Sequence, residues 1–547
     1  MVRPGGFVAR CAIMGALIFP ITQVSHDSAR ARTVTSASGG SIVVARALDF
    51  YTFDPAYVGD LEGIRVANEL FSGLIGISPS DSLYPDLASA MPTVTNGGRT
   101  YTFHLRPGLR FADGTALTAA DVAFSINRAA VPATKCWAVG ELNTIQGFAK
   151  VEAGKTKTLS GVQVVDPLTI RFNLTQPDGV FPYKMSMANF YIVEPKQVLR
   201  YGADFGKHPL GSGPFKFVSW TPGQNMVAVR NPYYYRKDAN GVQLPYLDKI
   251  TWLVNVDDTL AVLKLERGEV DVLADGVPKE SYAAVAADPK FSKLLVKEPA
   301  LYTYQVGFNV KMKPFTDIRV RQAVAMAINR PRLIKLIGKN RVFLSTQRYP
   351  KGLDAWDPTY QPLPFDPARA KALLAKAGYP NGFATTYLVG NWPDSADAIV
   401  GQALQQDLAV IGIKLSIRTA TSQTASDLTN KPNTIPLFTQ WWGPDFPEAT
   451  DFIAPQFSCG QQAPLGSNNL YYCNPLADKL LFAAEAQADQ AKRVAVERQL
   501  QRVILDDVAV FPLFQTYYVT IKPARLANFY IHPIWSWDYA YYKLASS

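Results

Sequence analysis

The sequence predicts an α/β or α+β chain with mixed sheets, on three observations. Period-two alternation of apolar residues marks strands, capped apolar stripes mark helices, and the two kinds of segment interleave along the chain. Its 547 residues, 48% hydrophobic and 18% charged, have the balance of a large globular protein and exclude a disordered or fibrous one.

At the N-terminus Arg3 and Arg10 precede or border an uncharged stretch, residues 11–24, centred on Ile13, Leu17, Ile18 and Phe19. This is the pattern of a secretory signal. It is shorter than the roughly 20 apolar residues of a membrane span, and Pro20 interrupts it. Ala29 and Ala31 supply the small residues of an A-x-A cleavage site, so residues 1–31 are expected to be removed. Cys11 precedes the apolar core instead of closing it, so no lipid-anchoring cysteine is predicted and the mature chain is expected to be soluble.

Further along, Tyr101, Phe103 and Leu105 alternate with Thr102, His104 and Arg106, a half-buried strand that Pro107-Gly108 turns back. Thr118 and Asp121 then form a capping box ahead of a helix whose stripe is Val122, Ala123, Ile126 and Ala130. Asp317 opens a second helix with Val320, Ala323, Val324, Ala327 and Ile328 on one face. Asp366-Pro367 opens a third, with Ala370, Leu373, Leu374 and Ala377 on its buried face and Gly378 at the left-handed cap position. Ile413, Leu415 and Ile417 alternate as a strand.

Several chemistries are excluded or weakened by spacing. Lys and Arg number 55 against 45 acids, yet no basic run occurs, so no nucleic-acid partner is predicted. Removal of the signal takes away Arg3, Arg10, Arg30 and Asp27, and the basic excess persists. Four His and four Cys are few beside 26 Tyr, 29 Phe and 9 Trp, and His26, His104, His208 and His532 form no i, i+4 pair. No metal site and no cofactor are expected. Gly154-Lys155-Thr156 would end a phosphate loop only if Ala149 were glycine, and Gly211-Ser212-Gly213-Pro214 lacks the spacing of a nucleophile elbow. Asp257 and Asp258 are adjacent, so their side chains point apart, and a secreted hydrolase with paired carboxylates is a weak reading. No catalytic residue is expected.

Trp441-Trp442-Gly443-Pro444-Asp445-Phe446-Pro447 holds two indoles and a carboxylate in a proline-stiffened segment. Such a group suits an ammonium ligand, through a charge-assisted hydrogen bond and cation–π attraction. The other reading is that the indoles are core and Asp445 caps a turn. Cys459 and Cys473 either pair across a short loop in an oxidising compartment or remain buried thiols, with Cys136 free or packed.

Several segments together resemble the family 5 extracytoplasmic solute-binding proteins, the dipeptide and oligopeptide receptors of ABC importers. They are Tyr101-Thr-Phe-His-Leu-Arg-Pro-Gly108, Phe111-Ala-Asp-Gly-Thr115, Leu117-Thr-Ala-Ala-Asp-Val-Ala-Phe-Ser125, Gly211-Ser-Gly-Pro-Phe215, Trp220-Thr-Pro-Gly-Gln224 and Arg230-Asn-Pro-Tyr233. Gly268-Glu-Val-Asp-Val272, Phe308-Asn309, Asp317-Ile-Arg-Val-Arg-Gln-Ala-Val324 and Leu404-Gln-Gln-Asp-Leu408 follow in order.

The resemblance implies a two-lobed periplasmic-binding-protein fold (type II, cluster C-like), with an extra subdomain in the larger lobe and a hinge of two chain crossings near residues 302–309 and 514–520. It implies lobe I over 32–303 with an insertion at about 75–210, lobe II over 304–517, and a return to lobe I over 518–547. It further implies a monomeric periplasmic receptor that binds a di- or short oligopeptide and delivers it to an ABC permease at the inner membrane. Asp445 would receive the α-ammonium group, and main-chain groups near Trp441 and Gly443 would pair with the peptide. Trp442, Tyr51, Phe53, Asp54, Asn309, Asn391 and Trp392 are further expected cleft residues. A Cys459–Cys473 disulfide also matches dipeptide-binding members. Pro444, Phe446 and Glu448 depart from the pattern beside the aspartate, so an oligosaccharide, an opine, a nickel complex or haem stay open as ligands.

Overall fold

The computed structural model describes residues 39–392, 395–464 and 466–545. The expected signal segment and the cut after Ala31 lie outside the described residues.

The chain enters on strand β1 (Ser41–Ala45), whose Ile42 and Val44 are fully buried, and helix α1 (Leu61–Leu70), capped by the Asp60 carboxylate on the Gly63 N–H. A short antiparallel hairpin, β2 (Ile75–Ile77) with β3 (Leu83–Pro85), leads into an antiparallel sheet. Its strands are β4 (Thr93–Thr95), β5 (Thr100–His104), β6 (Val162–Asp166) and β7 (Thr169–Asn173), in the order β4-β5-β7-β6. Helix α2 (Ala119–Ala130) packs against it, and the Asp121 carboxylate accepts both the N–H and the hydroxyl of Thr118, as the capping box predicts. Tyr101 and Phe103 are buried on β5, and Phe103 meets Phe172 of β7 edge-on.

The chain then completes a first mixed sheet with β8 (Phe215–Thr221), β9 (Asn225–Arg230), β10 (Lys249–Leu253) and β11 (Val272–Leu273), in the order β11-β1-β10-β9-β8. β1 runs parallel to both β10 and β11, so their carboxyl ends share one edge. Strand β12 (Leu295–Phe308) leads out of this lobe.

The second lobe carries α3 (Ile318–Ala327), β13 (Val342–Leu344), α4 (Pro367–Lys376), β14 (Ala384–Asn391), β15 (Lys414–Thr421), β16 (Leu437–Trp442), α5 (Pro475–Glu485), α6 (Gln490–Asp506) and β17 (Val510–Ile521). Its sheet runs β13-β17-β12-β16-β14-β15. The caps read from sequence are formed: Asp317 accepts the Arg319 N–H and Asp366 the Arg369 N–H. Gly378 has φ +94°, and its N–H and that of Tyr379 close the end of α4 on Ala375 and Leu374. Residues after 521 return to the first lobe, where Trp537, Tyr539 and Tyr542 pack with Trp252.

β12 and β17 join the lobes as one long antiparallel ribbon. Leu295 to Pro299 pair with Tyr517 to Ile521, and there Val519 and Ile521 pack in the first lobe with Ala45 and Val256. Val306 and Phe308 pair toward Val510 and Phe511 at the other end and enter the second lobe's core. The register shifts between Pro299 and Thr303 and again between Tyr304 and Gln305, so the ribbon bends where it crosses. The boundaries expected at 303/304 and 517/518 both fall inside these strands.

Among the described residues no helix is long and apolar enough to cross a membrane. Cys459 and Cys473 form a disulfide, while Cys136 is a buried thiol whose pKa burial pushes up to about 11. Closing a 14-residue separation corresponds to about 3 kcal/mol in the chain-entropy account. The Cys459→Ser/Cys473→Ser double variant is therefore expected to lose about that much in denaturant unfolding with its circular dichroism unchanged. A loss under about 0.5 kcal/mol would show that the bridge does not constrain the unfolded chain.

Candidate functional site

The principal cavity, about 560 Å³, lies where the ribbon passes between the lobes. Ala274 to Val277, which follow the carboxyl end of β11, and Trp537 line it from the first lobe; Trp392 and Trp441 line it from the second. A crevice outside the carboxyl ends of parallel strands is where an open sheet leaves loop backbone free to meet a ligand.

Alternation on β12 builds the aromatic wall. Tyr302 and Tyr304 project into the cavity, while Thr303 and Gln305, which alternate with them, are buried on the opposite face. Tyr304 pairs across the sheet with Trp441 of β16 and Phe514 of β17. The rings follow that register: Tyr302 and Tyr304 lie 6.3 and 6.4 Å from Trp441, at interplanar angles of 30° and 22°, and Tyr304 lies 4.9 Å from Phe514 at 16°. On β17 the hydroxyls of Tyr518 and Thr520, two residues of the same wall, are buried without a hydrogen-bond partner. Such groups are costly unless a ligand or water meets them.

The Asp445 loop begins where β16 ends. Gly443 lies under the Tyr302 ring so closely that a Cβ there would stand 2.1 Å from Tyr302 Cε1, so only glycine fits. Phe446 is buried against Tyr183 of the antiparallel-sheet subdomain, with ring centroids 6.4 Å apart. The Asp445 N–H and Trp442 Nε1–H both donate to the buried Asp451 carboxylate, at 3.0 and 3.4 Å. Below the loop, Arg348 is fully buried, donates to the Phe452 carbonyl and to Gln456 Oε1, and the Gln456 amide donates to the Trp441 carbonyl.

Among the described residues no cation lies within ion-pair distance of the Asp445 carboxylate. Burial and the nearby Glu141 carboxylate push its pKa up to about 7, and burial with Asp445 as neighbour pushes Asp451 well above its ordinary range. Glu141 itself lies 3.6 Å from Lys184. The loop thus presents a part-buried acid, its charged form disfavoured, near an aromatic wall, an arrangement that a positive group would relieve.

Backbone is also exposed here. β14 pairs with β15 along its full length, Ala384 to Asn391, but with β16 only at Tyr387–Leu437 and Leu388–Phe438. Beyond Phe438 the two strands part, and among the described residues no strand pairs with that side of β16 toward Trp441.

Of the residues expected from sequence, Trp392 and Trp441 line the cavity, while Gly443 and Asp445 follow the end of β16 near Tyr302 without lining it. Trp442 packs into the core and orients Asp451 instead of lining the cavity. Asn391 is exposed at the end of β14 and does not line it. Four others lie elsewhere. Tyr51 is 58% exposed and donates its hydroxyl hydrogen to the Tyr57 carbonyl. Phe53 is core, against Phe50, Phe217 and Trp220. Asp54 caps Pro55–Tyr57 and is paired with Arg128. Asn309 is 1% exposed, with its side chain accepting the Lys311 N–H. Their polar capacity is spent on local turns and an ion pair. Asp257 likewise caps a helix, through the Thr259 and Leu260 N–H groups. Sequence reasoning missed Tyr302, Tyr304, Tyr518, Thr520, Glu141 and Asp451. Alternation of Tyr302 and Tyr304 could have signalled the wall; nothing local signals Glu141, which lies over 300 residues from Asp445 along the chain.

Comparison with known proteins places the chain in a family. The family described as "Bacterial extracellular solute-binding proteins, family 5 Middle" matches residues 82–464. The chain is 30% identical over 497 residues to the glutathione-binding protein GsiB of Escherichia coli O6:K15:H31 (strain 536 / UPEC), covering 90% of this chain and 92% of that protein. Among solved structures it resembles the clavulanic acid biosynthesis oligopeptide binding protein 2 with a TM-score of 0.85 and 25% identity, over 93% of this chain and 96% of that one. DppA from Helicobacter pylori, in complex with the peptide STSA, shares the fold with a TM-score of 0.76 and 24% identity, over 93% and 99% of the two chains. The chain belongs to the family 5 bacterial extracellular solute-binding proteins and has their two-lobed fold.

Proposed function

We propose that the protein is the periplasmic receptor of an ABC importer for di- or short oligopeptides, binding them between the lobes as a monomer and without covalent chemistry. The observation that carries this reading is Asp445: an acid with no cationic partner among the described residues, beside an aromatic cavity and an unpaired strand edge. The α-ammonium group of a peptide pairs with the Asp445 carboxylate, and its backbone lies along the free edge of β16 in the manner of an added strand. The GsiB relatives are named for glutathione, itself a short peptide, and the DppA neighbour holds one. The lobes expected from sequence, 32–303 with its insertion, 304–517 and 518–547, close on the ligand about the β12–β17 ribbon, and the closed form docks on the permease.

Isothermal titration of a dipeptide panel tests the reading. Acetylating the peptide N-terminus, or the substitution Asp445→Asn, is expected to cost about 2–5 kcal/mol, the usual loss when one partner of a desolvated charge pair is removed. Equal binding of free and acetylated peptides would sink it.

The pH dependence follows from the same group. Burial and Glu141 push the Asp445 pKa up to about 7, so its protonated form, which cannot pair with an ammonium group, gains as the pH falls below that value. Peptide affinity is expected to fall by about tenfold from pH 6 to pH 5, and to fall again above about pH 8 as the peptide amine deprotonates. Asp445→Asn should flatten the acidic limb; an acidic limb unchanged in the variant would assign it to another group.

A further inference from the structure

We infer that the preferred ligand carries an aromatic side chain within its first two residues, seated on the shelf formed by Tyr302, Trp441, Tyr304 and Phe514. This rests on the peptide reading above and names the class of peptide.

Three observations lead there. The first is planarity. The four rings lie with near-parallel planes, 16° to 30° between neighbours, as a stack that the buried Phe514 anchors and Trp441 leaves open to the cavity, while Tyr518 meets Tyr302 edge-on at 84°. A flat ring can lie offset-stacked along such a surface; a branched aliphatic side chain covers it only in part. The second is exposure. Trp441 is 40% exposed at the centre of the shelf, a large apolar surface left facing the cavity in a protein whose other aromatic rings are mostly buried. The third is reach. Tyr302 packs over Gly443, two residues from Asp445, so the shelf begins next to the ammonium position. A side chain on the first or second residue of the ligand is the one that arrives there. The cavity of about 560 Å³ lies within the range that encloses a small organic ligand and has room for such a group.

Titration of Phe-Ala, Ala-Phe, Ala-Leu, Ala-Ala and their alanine-extended tripeptides into the wild type, Trp441→Ala and Trp441→Phe checks this. The better of Phe-Ala and Ala-Phe is expected to bind at least about tenfold more tightly than Ala-Ala, and more tightly than Ala-Leu. Trp441→Ala should cost the aromatic peptides at least about fivefold more affinity than it costs Ala-Ala, whereas Trp441→Phe should keep their advantage. Unfolding temperatures of the ligand-free variants close to wild type would show that they fold, as expected for a half-exposed residue. If Ala-Ala and Ala-Leu bind as well as the aromatic peptides, or if Trp441→Ala weakens all of them alike, the aromatic preference is overturned and the peptide reading stands. If no peptide binds while acetylation and Asp445→Asn are also without effect, the peptide reading falls and takes this inference with it.

Discussion

Two paired strands, Leu295–Phe308 and Val510–Ile521, have to satisfy two hydrophobic cores at once. At one end Val519 and Ile521 are buried in the first lobe; at the other Val306, Phe308, Phe511 and Leu513 are buried in the second. Between the cores the ribbon must cross a gap that neither core fills, and two register shifts let it bend there. The side chains at the crossing therefore border the cavity while packing on a core, Phe514 within that of the second lobe and Tyr304 against it. They are Tyr302, Tyr304, Phe514, Tyr518 and Thr520, and they form a wall of the cavity. The strands that join the lobes thus also supply a wall of the cavity between them.

The charges around the cavity sort in the same way. Close by, buried charges are compensated: Lys184 pairs with Asp178 at 3.1 Å, and Arg493 donates to Glu448 at 2.9 Å beside Glu497. Removing a partner from either network would strand a buried charge, at a cost of several kcal/mol. Asp445 has no such partner among the described residues; its nearest charged influences are two more acids, Glu141 and Asp451. The two networks beside the cavity thus hold their charges in pairs, while among the described residues Asp445 and Asp451 have no cation within ion-pair distance.

Support for that acid is indirect and extends well below the surface. Asp451 fixes the loop through the Asp445 and Trp442 N–H groups, Gln456 holds the Trp441 carbonyl, and Arg348 holds Gln456. Gly443 lets the Tyr302 ring close over the backbone. These contacts come from β12, β16 and the segments before and after them, so the position of Asp445 is set by packing of the whole lobe and not by its own loop.

Sequence by itself determined what depends on neighbours within a few residues. The capping boxes and caps at Thr118, Asp317 and Asp366, the left-handed glycine at Gly378, and the alternation of Tyr101 and Phe103 are local geometry, and each forms as its pattern requires. The Trp441 to Pro447 segment stood out in the sequence because its composition is unusual, though whether its indoles are core or cleft was not legible there. The tertiary structure divided them: Trp441 and Trp442 alternate on one strand, so one faces the cavity and the other the core. It also withdrew Phe53, Asp54 and Asn309 from the cleft, because an aromatic cluster, an ion pair with Arg128 and a turn claim them. Only the tertiary structure could bring Glu141 toward Asp445 or lay Tyr302 over Gly443, since those approaches join residues over a hundred positions apart and no local pattern encodes them.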